Sequence, residues 1–326
     1  MLAINTFQKQ IEVEIQELFS SLGEPHGLYE PINYVLSLKG KRIRPALCLA
    51  GCALFNREMV KKAISPAIGL EVFHNFTLLH DDLMDNSDMR RNNPTVHKKW
   101  NNNTAILSGD AMMILAYKLV SEAPDNVLKS VLEVFSKTAL EVCEGQQYDM
   151  EFELRNDVVE AEYLEMIKLK TAVLLGGSLK MGSIIGNASE SDSQELYDFG
   201  CDMGLSFQLQ DDWLDVYGNS EDFGKPIGGD IVCNKKTFLL ISALNILQGN
   251  SRDELMKWLA KEEFDKKEKI SAVKNLFDEA KVSKITREKI NFYYKNSLKR
   301  ISGVKGAADI KAELEEFAHN IVERAR

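Results

Sequence analysis

The chain has 326 residues, a formal net charge of −9 at pH 7 and an isoelectric point near 5.3. This acidity argues against a nucleic-acid or anionic-membrane partner, because long-range repulsion would oppose both. The most apolar window, residues 45–55, is about half as long as the roughly 20 residues that a membrane helix needs, so no membrane span is expected. Residues 1–22 are amphipathic and acidic, unlike a signal peptide, which favours a cytoplasmic protein.

Helix-forming residues dominate the chain, and alternating β-branched runs are almost absent, so we predict an all-α protein. Apolar periodicity predicts helices over residues 4–22, 28–38, 43–56, 64–87, 103–122, 126–154, 158–187 and 190–217, with further helices from 234 to the end. The breaks are short, as in a bundle of mostly antiparallel helices, which favours a single domain over residues 1–326. The longest irregular stretch, residues 218–234, is either a glycine-rich connector or a loop beside a site.

Two acidic pentads of the same form lie in these helical stretches, DDLMD at residues 81–85 and DDWLD at residues 211–215. At about 100° per residue, the first and last Asp of each pentad share a helix face, with the second Asp beside them. Such crowded carboxylates raise one another's pKa unless a cation lies between them. One pentad alone is typical of a solvated acidic face, but two among bulky apolar residues predict a site for a hard divalent cation, best Mg²⁺.

Two pairs of basic residues that suit phosphate occur in the sequence. One pair lies at the start of the helix that precedes the first acidic helix, and the other follows the first pentad. Magnesium held by few carboxylates keeps positions open for water and substrate phosphates. Lys41 and Arg44 lie three residues apart at a helix start, and Arg90 and Arg91 follow the first pentad. Either pair alone is typical of a solvated face, but together with the pentads they indicate a phosphorylated substrate.

Eight motifs, taken in order, resemble those of the trans-prenyltransferases, the all-α isoprenyl diphosphate synthases. They are GKRIRP at 40–45, LLHDDLMD at 78–85, RRNNPTVH at 90–97, GD at 109–110, GQQYD at 145–149, KT at 170–171, FQLQDDWLD at 207–215 and GK at 224–225. The resemblance implies an isoprenoid-synthase helical bundle around a central cavity. It also implies a short-chain enzyme that condenses isopentenyl diphosphate with dimethylallyl, geranyl or farnesyl diphosphate to give farnesyl or geranylgeranyl diphosphate.

The resemblance also implies a role for each matching residue. Three Mg²⁺ per active site would be ligated by Asp81, Asp85 and Asp211, with Asp82, Asp212 and Asp215 as supporting carboxylates. The allylic diphosphate would be held by Arg90, Lys170 and Lys225, and the diphosphate of isopentenyl diphosphate by Lys41, Arg44, His74 and Arg91. Lys235 resembles a further family lysine, although Lys236 is equally near.

The implied reaction needs no histidine base. Loss of diphosphate from the allylic carbon leaves a carbocation, which the side-chain oxygens of Thr171 and Gln208 would stabilise. The departing diphosphate would take the final proton, so His80 and His97 are expected to be structural. On the helical wheel His74 lies about twenty degrees from Asp81 and can face the same cavity, although a core histidine is the alternative.

Product length should depend on the residues below Asp81. In the enzymes that this chain resembles, the fifth position upstream, Phe76, limits growth, whereas the helical wheel places Thr77 and Phe73 directly below Asp81. Bulky residues here would stop growth at farnesyl or geranylgeranyl length. The alternative is that both phenylalanines pack the core.

Two other functions remain open at this point. A class I terpene cyclase would share the fold and the first pentad, but it would lack the second pentad and would not need Lys41, Arg44 and Arg91. A non-catalytic regulatory subunit would not need to keep both pentads intact. The family resemblance implies a homodimer, and the apolar helix over residues 106–119 can supply an interface, although internal packing explains it equally well.

Overall fold

The structure is a computed structural model that describes residues 3–19, 23–218 and 227–323. It is almost entirely helical, which confirms the predicted all-α class. The α-helices are α1 (Ala3–Phe19), α2 (His26–Ser37), α3 (Ile43–Phe55), α4 (Val60–Met84), α5 (Val96–Lys99), α6 (Asn102–Val120), α7 (Leu128–Glu153), α8 (Glu160–Ile167), α9 (Val173–Ile185), α10 (Glu190–Tyr217), α11 (Gly229–Val232), α12 (Phe238–Ile246), α13 (Gly249–Ala260), α14 (Lys266–Glu279), α15 (Val282–Gly303) and α16 (Ala308–Glu323).

Apolar periodicity located most of these helices but missed local irregularities. The stretch predicted as one helix over 158–187 contains a π-helix, Lys168–Ala172, between α8 and α9. Such wide turns occur often at functional sites. The predicted irregular stretch 218–234 contains the short helix α11, and a 3₁₀-helix, Arg57–Met59, precedes α4. A uniform period of 3.6 residues cannot reveal these changes in winding.

A two-stranded antiparallel hairpin, also missed from the sequence, follows the first pentad. Strand β1 (Met89–Arg90) pairs with β2 (Asn93–Pro94). Between the strands, Arg91 and Asn92 both have positive φ, at 53° and 62°. Tight hairpin turns of this kind favour Asn because its side chain tolerates the left-handed region. The turn therefore fixes the backbone at the two arginines that the sequence singled out.

The chain forms two compact units. One unit consists of Met1–Ala139, Gly177–Tyr197 and Val304–Leu314, and the other of Leu140–Gly176, Asp198–Gly303 and Glu315–Arg326. We call them unit one and unit two. The single domain expected over residues 1–326 is not tested by this division and stays a prediction.

In unit one, helix α4 packs against α6 and α3, and α1 packs on α3. Helix α3 is buried over residues 45–54, because neighbours cover it on every side. A side chain at Gly182 would lie 1.9 Å from the carbonyl oxygen of Cys48, so this glycine allows α9 to approach the α3 backbone closely. This packing holds α4, which carries the first pentad at its C-terminal end.

In unit two, the second half of α10 is packed into an apolar cluster. Leu209 and Trp213 lie in this cluster with Phe238 of α12 and Ile290 of α15. The indole nitrogen of Trp213 donates a hydrogen bond to Ser283 Oγ at 3.0 Å. The second pentad, at the end of α10, is thereby held by the C-terminal helices.

Over the described ranges, none of the helices combines the length and apolarity needed to cross a membrane.

Candidate active site

The first pentad lies at the C-terminal end of α4, and its three carboxylates differ in exposure. The side chain of Asp82 is only 7% exposed, that of Asp81 is 19% exposed, and Asp85 is exposed at the helix end. Arg90 donates from Nη2 to Asp82 Oδ1 at 2.6 Å and lies 3.6 Å from Asp81 Oδ2. Burial raises the pKa of Asp82, and the hydrogen bond from Arg90 opposes that rise. Asp82 is therefore a buried support, while Asp81 and Asp85 are the more accessible carboxylates.

The second pentad, in unit two, repeats this division. Asp212 is 2% exposed, whereas Asp211 and Asp215 are half-buried. The Asp212 carboxylate accepts a hydrogen bond from Tyr163 Oη and another from Gln208 Nε2 at 3.1 Å. Burial raises the pKa of Asp212 to about 7. In both pentads the second Asp is the buried one, and its carboxylate accepts hydrogen bonds from other side chains.

Asp215, predicted from the resemblance to be a supporting carboxylate, anchors the backbone that follows the pentad. Its Oδ2 accepts the Asp230 N–H at 3.0 Å, and its carbonyl oxygen accepts the Gly228 N–H at 2.6 Å. Asp215 therefore connects the end of α10 to the start of α11.

The predicted metal ligands, Asp81, Asp85 and Asp211, are all at least partly accessible. Within residues 3–19, 23–218 and 227–323, no three His, Cys, Asp or Glu side chains are grouped so that they alone could hold a metal ion. Carboxylate oxygens nevertheless suit Mg²⁺, which is usually bound by one or two carboxylates together with substrate phosphates. These carboxylates therefore suit Mg²⁺ that is also bound by substrate phosphates. They do not suit a structural metal site formed by protein side chains alone.

In unit one, Arg44, His74 and Arg91 form a cationic cluster. Arg44 Nη1 lies 3.1 Å from His74 Nε2, and because a guanidinium can only donate, His74 accepts. Burial and the charge of Arg44 hold the pKa of His74 well below its usual range, so its ring is neutral. Burial also lowers the pKa of Arg44 to about 10.

One donor of this cluster lacks an acceptor among the described residues. Arg44 Nε is buried with no hydrogen-bond partner there, which is uncommon for a buried polar atom. Arg91 Nη1 lies close to Gly40, where a side chain would come within 2.8 Å of it. The arrangement suits an anion, and it places the predicted residues His74, Arg44 and Arg91 together.

Arg42 is a residue of the same loop that sequence reasoning missed. It is 3% exposed, has a left-handed φ of 45° and immediately precedes α3. Its guanidinium donates to Glu71 Oε1 at 2.8 Å, to Glu12 Oε2 at 2.7 Å and to the carbonyl oxygen of Leu36 at 2.6 Å. The sequence feature that could have pointed to Arg42 is Glu71, a single acidic residue in an apolar stretch of α4. Arg42 therefore fixes the loop from which Lys41 and Arg44 extend.

Lys170 and Thr171 lie in the π-helix of unit two. Lys170 Nζ is 2.6 Å from Asp149 Oδ2, and a side chain at Gly145 would lie 2.2 Å from the Lys170 backbone nitrogen. Gly145 therefore lets α7 approach the π-helix. Thr171 Oγ1 donates to Gln208 Oε1 at 3.3 Å. The structure thus gives Asp149, a residue of the GQQYD motif with no role predicted from the sequence, a contact with Lys170.

The two candidate lysines after α11 have different surroundings. Lys235 Nζ is 3.9 Å from Asp230 Oδ1, and although partial desolvation opposes it, the charges of Asp212 and Asp230 raise the pKa of Lys235. Lys236 instead donates to the carbonyl oxygen of Asn234 at 3.5 Å, and burial lowers its pKa. The acidic surroundings favour Lys235. The predicted allylic ligand Lys225 lies outside the described residues.

The residues proposed to limit product length lie on α4. Phe73 is fully buried, with its ring 5.5 Å from that of Phe135. Phe76 is partly exposed and packs 5.7 Å from Phe73 and 4.8 Å from the His80 ring. Thr77 Oγ1 donates to the carbonyl oxygen of His74 at 2.8 Å. Of the two phenylalanines, only Phe76 keeps an accessible surface.

Comparison with known proteins gives consistent matches over most of the chain. The polyprenyl synthetase family profile matches residues 25–277. A short chain isoprenyl diphosphate synthase of Methanocaldococcus jannaschii is 39% identical over 258 residues, covering 78% of each chain. A geranylgeranyl pyrophosphate synthase of Geoglobus acetivorans is 35% identical over 319 residues, covering 97% of this chain and 96% of the relative.

Solved structures agree with these matches. A crystal structure of a geranylgeranyl pyrophosphate synthase has a TM-score of 0.94 and 43% identity, covering 100% of both chains. The geranylgeranyl pyrophosphate synthetase of Pyrococcus horikoshii Ot3 has a TM-score of 0.92 and 33% identity, covering 98% of this chain and 97% of the other.

Replacement of Arg42 by Met should destabilise the fold, because it leaves Glu71 as a buried charge without its partner. We expect the free energy of unfolding in urea to fall by about 3–5 kcal/mol. The control is Arg57→Met, which removes an exposed ion pair with Asp309 and should cost at most about 1 kcal/mol. Equal, small losses in both variants would contradict the role of Arg42.

Proposed function

Because the chain belongs to the polyprenyl synthetase family, we propose that it condenses isopentenyl diphosphate with an allylic diphosphate to give farnesyl or geranylgeranyl diphosphate. The chain is a short-chain trans-prenyltransferase. The observation that carries the proposal is that each pentad presents accessible carboxylates beside a buried, bonded one. The names of several relatives favour geranylgeranyl diphosphate as the product.

We assign Mg²⁺ binding to Asp81, Asp85 and Asp211, with three ions per active site as the family resemblance implies. Bound Mg²⁺ supplies Lewis-acid stabilisation of the negative charge on the leaving diphosphate. The protein keeps the ligands in position through their neighbours. Arg90 holds Asp82, and Tyr163 with Gln208 holds Asp212, so each pentad is fixed at its buried carboxylate.

We assign the allylic diphosphate to Arg90, Lys170, Lys225 and Lys235. Arg90 and Lys170 are bonded to Asp82 and Asp149. A guanidinium carries five N–H donors and an ammonium three, so these carboxylate contacts are compatible with a phosphate oxygen as a further acceptor. The carboxylates also restrict each cation to one position, which reduces the entropy cost of binding.

We assign the diphosphate of isopentenyl diphosphate to Lys41, Arg44, His74 and Arg91. Arg44 Nε, a buried donor with no acceptor among the described residues, supports this assignment, because a bound phosphate oxygen would satisfy it. A neutral His74 that accepts from Arg44 keeps its other ring nitrogen as a donor. This cluster can therefore bind an anion while carrying less positive charge than four protonated side chains.

Thr171 and Gln208 are proposed to stabilise the allylic carbocation. Gln208 donates its amide N–H to Asp212, which assigns the opposite atom, Oε1, as an acceptor. The oxygen dipoles of Gln208 and Thr171 can therefore face a positive charge without taking up a proton. The departing diphosphate would remove the final proton. His80, which lies 3.3 Å from the carbonyl oxygen of Ile106 and fits against Gly109, keeps its predicted structural role.

The family match does not favour a terpene cyclase or a non-catalytic regulatory subunit. Intact carboxylates in both pentads agree with this. A cytoplasmic location stays a prediction from the sequence.

We propose a homodimer that forms through the outer face of α6. While the inner face of α6 packs on α4, its outer face exposes a stripe of large apolar side chains. Their exposed fractions run from 36% to 70%, and they are Ile106, Leu107, Ile114 and Tyr117. Several large apolar side chains on the exposed face of one helix suit a symmetric interface, because the same surface of a second copy can cover them.

The reaction is tested by incubating the purified protein with Mg²⁺, labelled isopentenyl diphosphate and dimethylallyl, geranyl or farnesyl diphosphate in turn. Product chain length is read by chromatography. The proposal expects a discrete farnesyl or geranylgeranyl diphosphate, and folded protein that forms no product with any starter would refute it.

Asp81→Ala should lower kcat/KM by several powers of ten while the circular dichroism spectrum and urea midpoint stay close to those of the wild type. Asp81 is partly exposed, so its loss leaves no buried partner uncompensated. Asp125→Ala, an exposed Asp in the same unit, is the matched control and should keep full activity. An active Asp81→Ala enzyme would remove Asp81 from the proposed metal ligands.

Phe76→Ala should lengthen the product, because removing a partly exposed ring opens space one turn below the pentad. The measurement is product chain length in the same assay. Phe292→Ala removes an exposed ring elsewhere and should leave the product unchanged. An unchanged product from Phe76→Ala would shift the length limit to Phe73 and Thr77.

Ile114→Glu should convert the dimer to monomer, because it places a charge at the most exposed position of the apolar stripe. Sedimentation should give twice the chain mass of 36.8 kDa for the wild type and the single mass for the variant. Met256→Glu on α13 is the control and should stay dimeric. A monomeric wild type would contradict the proposed interface.

A further inference from the structure

We propose that Lys269 and Asn234 are positioning residues that fix Lys235 beside the second pentad. The proposal rests on the proposed function, because it assigns a catalytic purpose to the position of Lys235. Lys269 belongs to α14, in the C-terminal part of the chain, where the sequence motifs give no chemistry. All the contacts that carry the argument lie within unit two.

Lys269 is a fully buried lysine, at 0% exposure. Its ammonium donates to Asn234 Oδ1 at 2.7 Å and to the carbonyl oxygen of Val232 at 3.3 Å, and it lies 4.1 Å from the centre of the Phe264 ring. These three partners are neutral. Burying an ammonium is costly unless its donors are satisfied, so these bonds define one place for the side chain.

Asn234 connects three elements. Its backbone has a left-handed φ of 55°, and its N–H donates to the carbonyl oxygen of Ile231 at 3.2 Å, which ends α11. Its side chain accepts from Lys269 of α14 and donates from Nδ2 to the carbonyl oxygen of Leu259 in α13 at 2.9 Å. Asn tolerates the left-handed region well, and here both of its amide atoms are also used.

The segment between Gly228 and Lys235 is therefore held at two places. At its start, Asp215 accepts the N–H groups of Gly228 and Asp230. At its end, Lys269 holds Asn234, the residue immediately before Lys235. The Lys235 N–H donates to the carbonyl oxygen of Asp230 at 2.9 Å. The backbone of Lys235 is thus fixed from one side by the pentad and from the other by α14.

The consequence is a defined position for the Lys235 ammonium, whose nitrogen lies 3.9 Å from Asp230 Oδ1. Lys235 has a long side chain and lies in the short connection between α11 and α12. The position of its ammonium therefore depends on how the backbone of this connection is held. Without the Lys269 bonds, Asn234 would lose the contact that holds it to α14. Lys235 would then bind the allylic diphosphate from a wider range of positions, at a greater entropy cost.

The test uses the full chain with four variants, Lys269→Met, Asn234→Gly, Lys235→Met and the double variant Lys235→Met/Lys269→Met. Met keeps the length of the lysine stem, and Gly permits the left-handed backbone while removing both amide bonds. Lys267→Met, an exposed lysine on the same helix, is the control. Asn234→Gly keeps the test valid if Lys269→Met does not fold.

The first readout is hydrogen exchange, which does not require activity. Lys269→Met and Asn234→Gly should speed exchange in peptides that cover residues 228–236, while peptides from α12 stay protected as in the wild type. Unchanged exchange over residues 228–236, or faster exchange throughout unit two, would overturn the proposal. Failure of the proposed function would appear separately, as absence of turnover by the wild type.

The second readout separates positioning from a general structural effect. Lys269→Met and Asn234→Gly should raise KM for the allylic diphosphate about tenfold and leave KM for isopentenyl diphosphate within about twofold. In the double variant, Lys269→Met should add nothing to the effect of Lys235→Met, because it acts through Lys235. Equal increases in both KM values, or additive effects, would overturn the proposal.

Discussion

The site depends on keeping carboxylates ionisable beside an apolar core. A buried carboxylate without partners is strongly disfavoured, so a helix that carries two adjacent Asp residues into a core must supply donors for the inner one. Arg90 does this for Asp82, and Tyr163 and Gln208 do it for Asp212. The outer carboxylates, Asp81 and Asp211, thereby gain a fixed backbone and remain partly accessible. The two pentads thus reach the same arrangement with different donors.

The buried cations Arg42 and Lys269 also need partners, and the bonds to these partners hold the neighbouring loops. Arg42 is neutralised by Glu71 and Glu12, and this network sets the start of α3 from which Arg44 extends. Lys269 is instead satisfied by a carbonyl, an amide and an aromatic ring. Arg42 directly follows the predicted ligand Lys41, and Lys269 donates to Asn234, the residue before Lys235, so each contacts a backbone segment that carries a proposed substrate ligand. Among the described residues, the lysines and arginines proposed to bind diphosphate are a separate group, because they are partly exposed or, like Arg44 Nε, have a buried donor without an acceptor there.

The C-terminal helices support the second pentad, although they carry none of the family motifs. Trp213 and Tyr217 of α10 donate hydrogen bonds to Ser283 and Asp278, and Lys269 reaches the segment after α10. The family profile ends at residue 277, close to these contacts. Packing of this kind can be supplied by many residue types, so it leaves little trace in a motif. A helical segment with mixed charges can therefore support the site although its sequence contains no site motif.

The sequence by itself determined the all-α class, the approximate helix bounds, the two pentads and the family, because apolar periodicity and motif spacing are local properties. It also singled out Arg44, His74 and Arg91, which the family resemblance predicts to be anion ligands and which the structure places together. Only the tertiary structure distinguished Asp82 and Asp212 from their neighbours, gave Lys235 more acidic surroundings than Lys236 and showed the contacts of Arg42, Asp149, Tyr163 and Lys269. These distinctions depend on burial and on partners far along the chain, and adjacent residues of one type look alike in sequence until packing gives each a different environment.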